Sequence, residues 1–293
     1  MKRTGRIFVF GLGYSAQVLA RRLVADGWTV AGTARDDGSA GALAEHGIEV
    51  FAFAPEQPLG AAGRKALAGS SHLLSSVPPD ADGDPVLDRH GAEIAGHGGL
   101  DWAGYLSTTG VYGDTGGAWV DEASPLRPTS GRGEHRVAAE RAWLDLVPSG
   151  VPVHVFRLAG IYGPGRNAIE QLRAGTAKRI SRPGHVFSRI HVDDIAATLR
   201  ASIARPDPGA VYNVCDDRPA EAHEVTRFAA ELIGVEPPPL VAYDDALLSA
   251  MARSFWADRR RVRNDRIKDE LGVRLAYPDF EAGLRAILAA EQG

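Results

Sequence analysis

Short apolar runs alternate along most of the chain with segments whose apolar residues recur at helical spacing. The apolar run Ile7–Phe10 is followed by Ser15–Asp26, in which Val18, Leu19 and Leu23 share one helical face. The same pattern predicts further strands at Thr29–Thr33, Ile48–Phe53, Leu73–Val77, around Tyr105–Ser107, Val153–Leu158 and Val211–Val214, and helices at Asp84–His97, Gly133–Val147 and Asp193–Ala204. Strands separated by helices form βαβ crossovers, so we expect an α/β fold with a doubly wound parallel sheet of about seven strands.

The end of the chain has a different pattern, in which strands are scarce. Helical spacing predicts Ala220–Ile233, Asp244–Ala252, Asn264–Leu271 and Asp279–Ala290. We therefore predict a core of residues 1–165, its sheet completed by 185–215. Residues 166–184 and 216–293 would form a smaller, mostly helical region on the substrate side.

Composition narrows the class of protein. The 293 residues include 44% hydrophobic and 24% charged residues, with a net charge of −4, which is typical of a globular protein and argues against nucleic acid as a partner. Cys215 is the single cysteine, so a reducing compartment fits. The apolar run after Arg6 is too short for a signal peptide or a membrane span, and the histidines lack metal-ligand spacing. We expect a soluble, cytoplasmic protein without a membrane or metal partner.

One glycine motif follows the first predicted strand and opens the first predicted helix, and it has the form G-x-G-x-x-A. Its six residues are Gly11, Leu12, Gly13, Tyr14, Ser15 and Ala16. Gly11 would make the tight turn, Gly13 would let the backbone approach a pyrophosphate, and Ala16 would let helix and strand pack closely. In this position the motif predicts a Rossmann-like site for a nicotinamide dinucleotide.

The residues at the end of the second strand decide between NAD and NADP. An NAD site usually has an acidic residue there, whereas this chain has Thr33 and Arg35. Arg35 could pair with a 2′-phosphate and Thr33 could donate a hydroxyl, so we favour NADP. Asp36 and Asp37 follow at once, and either could take the ribose role if the strand extends further.

Two other strand ends are predicted to face ligands, because ligands bind beyond the carboxyl ends of such strands. Ser76, Val77 and Pro78 close the fourth strand and are predicted cofactor contacts, although they could equally be a simple strand stop. Arg157 lies near the end of the sixth strand, and Asn167 lies in the loop after it. We predict that these two residues bind an anionic or hydroxyl-rich substrate.

Four further segments follow the glycine motif in order: Leu106–Gly113 (LSTTGVYG), Phe156–Gly165 (FRLAGIYGPG), Ile190–Ala196 (IHVDDIA) and Val211–Val214 (VYNV). Together with the glycine motif they resemble the extended short-chain dehydrogenase/reductase family, which includes nucleotide-sugar epimerases and dehydratases. The resemblance covers about residues 6–235 and implies a nicotinamide-dependent oxidoreductase or epimerase. The tail from Arg261 to Pro278 is similar to an atypical subgroup of NAD(P)-binding proteins.

The catalytic residues depart from that family's pattern. The resemblance places Thr108 at the family's Ser/Thr position, Arg136 at its Lys position and Arg132 at its Tyr position. No tyrosine occurs from Gly113 to Gly160. Guanidinium stays protonated, so Arg132 could not act as a general acid or base. The residues that could replace the tyrosine are Tyr112, His135 and the pair Asp121–Glu122.

Two functions of different classes therefore remain open. One is an NADP-dependent oxidoreductase or epimerase acting on a sugar-like or other hydroxyl-bearing small molecule through Thr108 and unusual partners. The other is a catalytically inactive, NADP-binding sensor or regulatory scaffold. The resemblance also allows a homodimer through the predicted helices Asp84–His97 and Gly133–Val147.

Overall fold

The structure is a computed structural model, and it describes residues 4–35, 37–249, 253 and 255–292, with the side chains of 37–40 excepted. Its strands, in chain order, are β1 (Arg6–Phe10), β2 (Thr29–Ala34), β3 (Ile48–Ala52), β4 (His72–Ser75), β5 (Trp102–Thr108), β6 (Trp119–Val120), β7 (Val153–Leu158), β8 (Gly160–Tyr162), β9 (Arg179–Ser181), β10 (Val186–Phe187), β11 (Arg189–His191), β12 (Val211–Val214), β13 (Ala220–Glu221), β14 (Leu240–Ala242) and β15 (Arg261–Val262).

Seven of these strands form a central parallel sheet in the order β12-β7-β5-β4-β1-β2-β3. Its inner strands are buried along nearly their whole length, as expected where helices cover both faces of a sheet. In β1, for example, every residue after Arg6 is buried. The predicted α/β fold with a Rossmann-like sheet is therefore confirmed. From β1 the next strands, β2 and β3, are added on one side of the sheet, and from β4 onwards the strands are added on the other side. Such sheets bind ligands at the place where the strand order reverses, which here lies between β1 and β4.

The described α-helices are, in chain order, α1 (Tyr14–Ala25), α2 (Asp37–Ala44), α3 (Ala61–Ala68), α4 (Pro85–Ala95), α5 (Gly131–Leu144), α6 (Ala168–Arg173), α7 (Val192–Ala204), α8 (Ala222–Ile233), α9 (Asp265–Asp269) and α10 (Phe280–Gln292). The predicted helix Asp244–Ala252 is wrong in its first half, where a 3₁₀ turn, Tyr243–Asp245, leads into irregular chain. Its residues 250–252 lie outside the described residues. No helix in the described ranges is long and apolar enough to cross a membrane.

The chain divides into two compact units. The first contains the residues up to Thr108, Gly131–Arg157 and Ala196–Tyr212; the second contains Thr109–Ser130, Leu158–Ile195 and the residues from Asn213 onwards. Relative to the predicted division, residues 109–130, 158–165, 185–195 and 213–215 group with the second unit.

Each unit has its own apolar core. In the first, α3, α4 and α5 cover one face of the sheet, where Phe8, Phe10, Tyr105 and Trp143 are buried together. In the second, α6, α8 and α10 pack around Tyr162 and Phe280. The strand ends of the first unit therefore rest on a packed apolar core.

Candidate functional site

The turn between β1 and α1 is tied to the end of β2. Gly11 has φ +80°, a left-handed conformation that residues with a Cβ rarely adopt. Its N–H donates to the Thr33 hydroxyl at 2.8 Å, and Leu12 N–H donates to the Thr33 carbonyl at 2.8 Å. Thr33 thus holds the turn with both its side chain and its backbone.

The residues after β4 pack against the same turn. The Ser76 hydroxyl donates to the Gly11 carbonyl, and Ser76 N–H donates to the Phe10 carbonyl at 2.9 Å. A Cβ on Gly11 would lie 3.0 Å from Ser76 Oγ and 3.2 Å from Val77 Cγ2. Ser76 and Val77 therefore support the turn, while Pro78 is exposed.

Gly13 is the open position of the turn. It is exposed, and a Cβ placed there would have no heavy atom within 4 Å. It caps α1 without a side-chain hydrogen bond, and the first turn of α1 has no acidic residue. A helix leaves the N–H groups of its first turn without intrahelical partners and with a partial positive charge. This geometry fits a phosphate group, which needs close backbone approach and no nearby carboxylate.

The end of β2 contains the residues that were predicted to select the cofactor. The strand ends at Ala34, and the Arg35 side chain is exposed immediately after it. Thr33 is buried and its hydroxyl oxygen accepts from Gly11 N–H, which leaves the O–H proton as a donor but inside the protein, so burial opposes the predicted donation to a 2′-phosphate. Asp36 and the side chain of Asp37 lie outside the described residues.

The carboxyl end of β5 carries Thr108, which is half-buried. Arg136 extends from α5 to this strand, where its Nη1 donates to the Leu106 carbonyl at 2.7 Å and to the Tyr105 hydroxyl at 3.0 Å. Arg132 is exposed and His135 is half-buried. Arg136 is therefore fixed to the strand that ends in Thr108.

Arg157 belongs to a buried ion pair. Its guanidinium bonds both carboxylate oxygens of Glu140, with Nη2 to Oε2 at 2.8 Å and Nε to Oε1 at 3.1 Å, and Arg157 is only 4% exposed. Ser107 donates its hydroxyl to the same carboxylate. This cluster joins β5, α5 and β7. The geometry therefore favours a structural role for Arg157, in which it holds these three elements together, over the predicted contact with substrate.

Tyr112, a candidate for the missing proton donor, is a packing residue of the second unit. It is 1% exposed, and its hydroxyl donates to Asn213 Oδ1 at 2.8 Å. Asn213 N–H in turn donates to Glu122 Oε1 at 2.7 Å. Burial raises the pKa of the Glu122 carboxyl, and Asp121 is exposed. A catalytic role for Tyr112 would require this arrangement to open.

Asn167 caps a helix. Its Oδ1 accepts from Ile169 N–H at 2.9 Å and from Glu170 N–H at 3.1 Å, while Nδ2 donates to the Gly163 carbonyl at 2.9 Å. The pattern Asn-x-x-Glu at residues 167–170 is typical of a helix start and could have predicted this. The cap uses the oxygen of the amide, and the bond to Gly163 uses its nitrogen. Because both ends of the amide bond the protein, the geometry favours capping over the predicted substrate contact.

The sequence did not predict the contacts that Tyr105 of β5 makes in the core. Tyr105 is fully buried and stacks on Trp143, whose Nε1 donates to Asp84 Oδ2 at 3.0 Å. Burial raises the pKa of both the Tyr105 hydroxyl and the Asp84 carboxyl. Only Asp84 had a local signal, because an Asp before a Pro marks a helix start.

Within the described residues, no cluster of three His, Cys, Asp or Glu side chains has the arrangement of a metal site. The feature that remains is a glycine turn at the point of a parallel sheet where the strand order reverses. Arg35 and Ser76 directly follow the neighbouring strands β2 and β4, and Arg136 reaches β5 from α5. Together with the sheet order, this turn defines the class: an α/β protein with the extended short-chain dehydrogenase/reductase fold.

Comparison with known proteins agrees with this class, although no family model matches the chain. A conserved, functionally unknown protein of Silicibacter pomeroyi is 51% identical, with a TM-score of 0.90 over 99% of this chain and 100% of that one. Protein YeeZ of Escherichia coli K12 is 28% identical over 288 residues, which is 94% of this chain and 97% of YeeZ.

A dTDP-glucose 4,6-dehydratase of Bacillus anthracis, solved in complex with NAD, shares the fold at 17% identity, with a TM-score of 0.77 over 98% of this chain and 96% of the dehydratase. The chain therefore belongs to the same family as the Silicibacter pomeroyi protein, and its fold is that of the epimerases and dehydratases. The resemblance seen in the sequence motifs is confirmed in the fold.

Proposed function

We propose that the chain binds NADP and is an oxidoreductase or epimerase that acts on a sugar-like or other hydroxyl-bearing small molecule. The observation that carries this proposal is the open glycine turn. Gly11 is locked in the left-handed conformation by its neighbours, while Gly13 leaves space at the N-terminus of α1. The fold shared with a dehydratase solved in complex with NAD supports the same conclusion.

The residues around the turn fit a dinucleotide by their chemistry. The N-terminus of α1 would hold the pyrophosphate, and the segment Ser76–Pro78 would line the cofactor beyond β4. Leu12 and Ala16 are buried and keep α1 close to the sheet, while Tyr14 and Ser15 form the first turn. These residues make the cofactor contacts in this proposal.

The preference for NADP rests on Arg35. An exposed guanidinium directly after β2 can bond a 2′-phosphate with two parallel N–H groups, whereas NAD offers a hydroxyl that is better matched by a carboxylate. Among the described residues, none of those that form the turn bonds the Arg35 side chain, which in this proposal binds the ligand.

The chemistry of this site would be unusual within its fold class. A nicotinamide supplies or accepts a hydride when it is bound. In this proposal Thr108 hydrogen-bonds a substrate oxygen and Arg136 donates to a ribose hydroxyl. Arg132 cannot move a proton, because guanidinium does not deprotonate in proteins. The chain has Arg132 where the Tyr-x-x-x-Lys motif has its tyrosine, which is the usual general acid or base. In this proposal His135, water or a hydroxyl of the substrate gives or takes the proton of the reacting oxygen instead.

One observation favours a second candidate function, a sensor that binds NADP without catalysis. Tyr112 and Arg157 are buried and make hydrogen bonds within the protein. Asn167 likewise uses its amide to cap α6. If no other group supplies a proton, the protein would bind NADP without turning it over. Binding of the nucleotide would then change how the protein interacts with a partner.

Calorimetric titration with NADPH and with NADH tests the proposal on the wild type and on Arg35→Ala. We expect tighter binding of NADPH. In Arg35→Ala the NADPH affinity should fall by about tenfold or more, because a charge-assisted contact is lost, and the NADH affinity should stay unchanged.

Arg64→Ala is the matched control, since Arg64 is an exposed arginine that pairs with Glu93 on the first unit. It removes the same charge and should leave both affinities unchanged. If neither nucleotide binds the wild type more tightly than millimolar, where the binding free energy is only about −4 kcal/mol, the proposed function is wrong. If both bind equally and Arg35→Ala has no effect, the preference for NADP is wrong.

A further inference from the structure

Arg136 is held at two points of β5 but keeps donors to spare. Both of its hydrogen bonds to β5 come from Nη1. None of the described residues accepts a hydrogen bond from its Nε or Nη2, and the side chain is partly exposed. A guanidinium has five N–H donors in a rigid fork, so one edge can be anchored while the other faces a ligand.

The Tyr105 hydroxyl is a rigid anchor for Arg136. Tyr105 is fully buried, and its ring is stacked on Trp143 with centroids 5.7 Å apart. Trp143 is in turn fixed by its hydrogen bond to Asp84 at 3.0 Å. The guanidinium carbon of Arg136 lies 5.6 Å from the centre of the Tyr105 ring. The position of the hydroxyl is therefore set by the core of the first unit.

Arg136 also lies at the edge of the sheet where the proposed cofactor would bind. Leu106 is two residues before Thr108 at the carboxyl end of β5, and β5 pairs with β4. The residues directly after β4 contact the glycine turn. Ligands of such sheets lie along this edge.

From this arrangement we propose that Tyr105 is a positioning residue for the cofactor: its hydroxyl orients Arg136 so that the remaining N–H donors of the guanidinium hold the ribose next to the nicotinamide. Without the hydroxyl, Arg136 keeps one contact to β5 and regains rotamer freedom, which must be lost again on binding. This inference rests on the proposed binding of a nicotinamide dinucleotide.

A double-mutant cycle tests it, with the dissociation constant of NADPH as the readout. We expect Tyr105→Phe to raise the dissociation constant by about three- to tenfold, the typical net effect of losing one hydrogen bond. In an Arg136→Met background, Tyr105→Phe should cause no further change, because the hydroxyl acts only through Arg136. Arg136→Gln provides a second background if the Met variant does not fold.

Tyr162→Phe is the control. It also removes a buried hydroxyl, which bonds the Asp279 carbonyl at 3.2 Å in the second unit, and it should leave the affinity for NADPH unchanged. An equal loss of affinity from Tyr105→Phe with and without Arg136 would overturn the inference, as would an unchanged affinity in Tyr105→Phe itself. If the wild type binds neither NADPH nor NADH, the proposed function fails and this inference fails with it.

Discussion

At the scale of single residues, Asn167 shows how one amide can serve both ends of a turn. It accepts from two N–H groups at the start of α6 and donates to Gly163 four residues earlier. The helix has only six residues, so it depends on its cap more than a longer helix would.

Replacing Asn167 separates capping from ligand binding. Asn167→Ala should lower the free energy of unfolding by about 1 kcal/mol, because two N–H groups lose their acceptor. Asn167→Asp keeps the acceptor and should lose less. Urea unfolding measures both variants, and an aspartate variant as unstable as the alanine variant would contradict the capping role.

The roles of individual residues were the least predictable from sequence. Thr108, Arg157 and Asn167 all come from strand ends or the loops after them, where polar side chains can face a ligand. The sequence does not show that Arg157 has Glu140 as an internal partner, or that Tyr112 bonds Asn213, which is 101 residues further along the chain. Contacts of this kind depend on how the strands are ordered in space.

At the scale of elements, the first βα turn assigns different duties to its two glycines. Gly11 has a left-handed backbone and close neighbours, whereas Gly13 has an exposed position and open space around it. One glycine therefore serves the fold, and the other is free to serve a ligand.

Alanine at each position should separate the two duties. Gly11→Ala should lower the free energy of unfolding by about 1–3 kcal/mol through backbone strain and crowding by Ser76 and Val77. Gly13→Ala should leave stability nearly unchanged but weaken NADPH binding, since its Cβ would occupy the place of a phosphate. Thermal unfolding and calorimetry measure the two effects. A Gly13→Ala protein that binds NADPH like the wild type would argue against a pyrophosphate at this turn.

Elements with strong periodicity were predicted well and the weaker ones were not. The core strands agree within a few residues at each end, since a continuous apolar run marks a buried strand. The helices α2 and α3 have eight residues each and are rich in alanine and glycine, so their apolar face is too small to detect. The two- and three-residue strands of the second unit depend on tertiary pairing alone.

At the scale of the whole molecule, buried titratable groups oppose one another in their effect on stability. Burial lowers the pKa of His185 to about 4 and also lowers that of His154. Burial raises the pKa of Asp216 from its usual value of 3.8 to about 8, against the attraction of Arg189. Asp216 is 1% exposed, and its Oδ2 bonds none of the described residues.

These shifts predict how stability changes with pH. The histidines stabilise the protein at neutral pH and lose that effect as the pH falls from about 6.5 towards 4. The neutral form of Asp216 contributes stability that is complete below about 3.8 and is lost as the pH rises through about 8. Above pH 6.5 the contribution of the histidines no longer changes, whereas that of Asp216 is still being lost, so the free energy of unfolding should fall from pH 6.5 to pH 8.5.

Urea unfolding across that range, on the wild type and on Asp216→Asn, measures this decline. The amide imitates the neutral carboxyl, so its curve should be flatter. Asp217→Asn is the control, since Asp217 is exposed and bonds Lys268 at 2.6 Å. An Asp216→Asn protein that loses as much stability as the wild type would refute the assignment.

Trp143, described above as part of the core, is one of several tryptophans that differ in their exposure to solvent. Trp102 and Trp143 are fully enclosed in the first unit, whereas Trp119 of the second unit is 55% exposed. A water-soluble quencher would extinguish the fluorescence of Trp119 first and leave the enclosed pair emitting. Because Trp143 supports Tyr105, the emission that survives comes in part from the core beneath the proposed cofactor site, and no attached dye is needed to follow it.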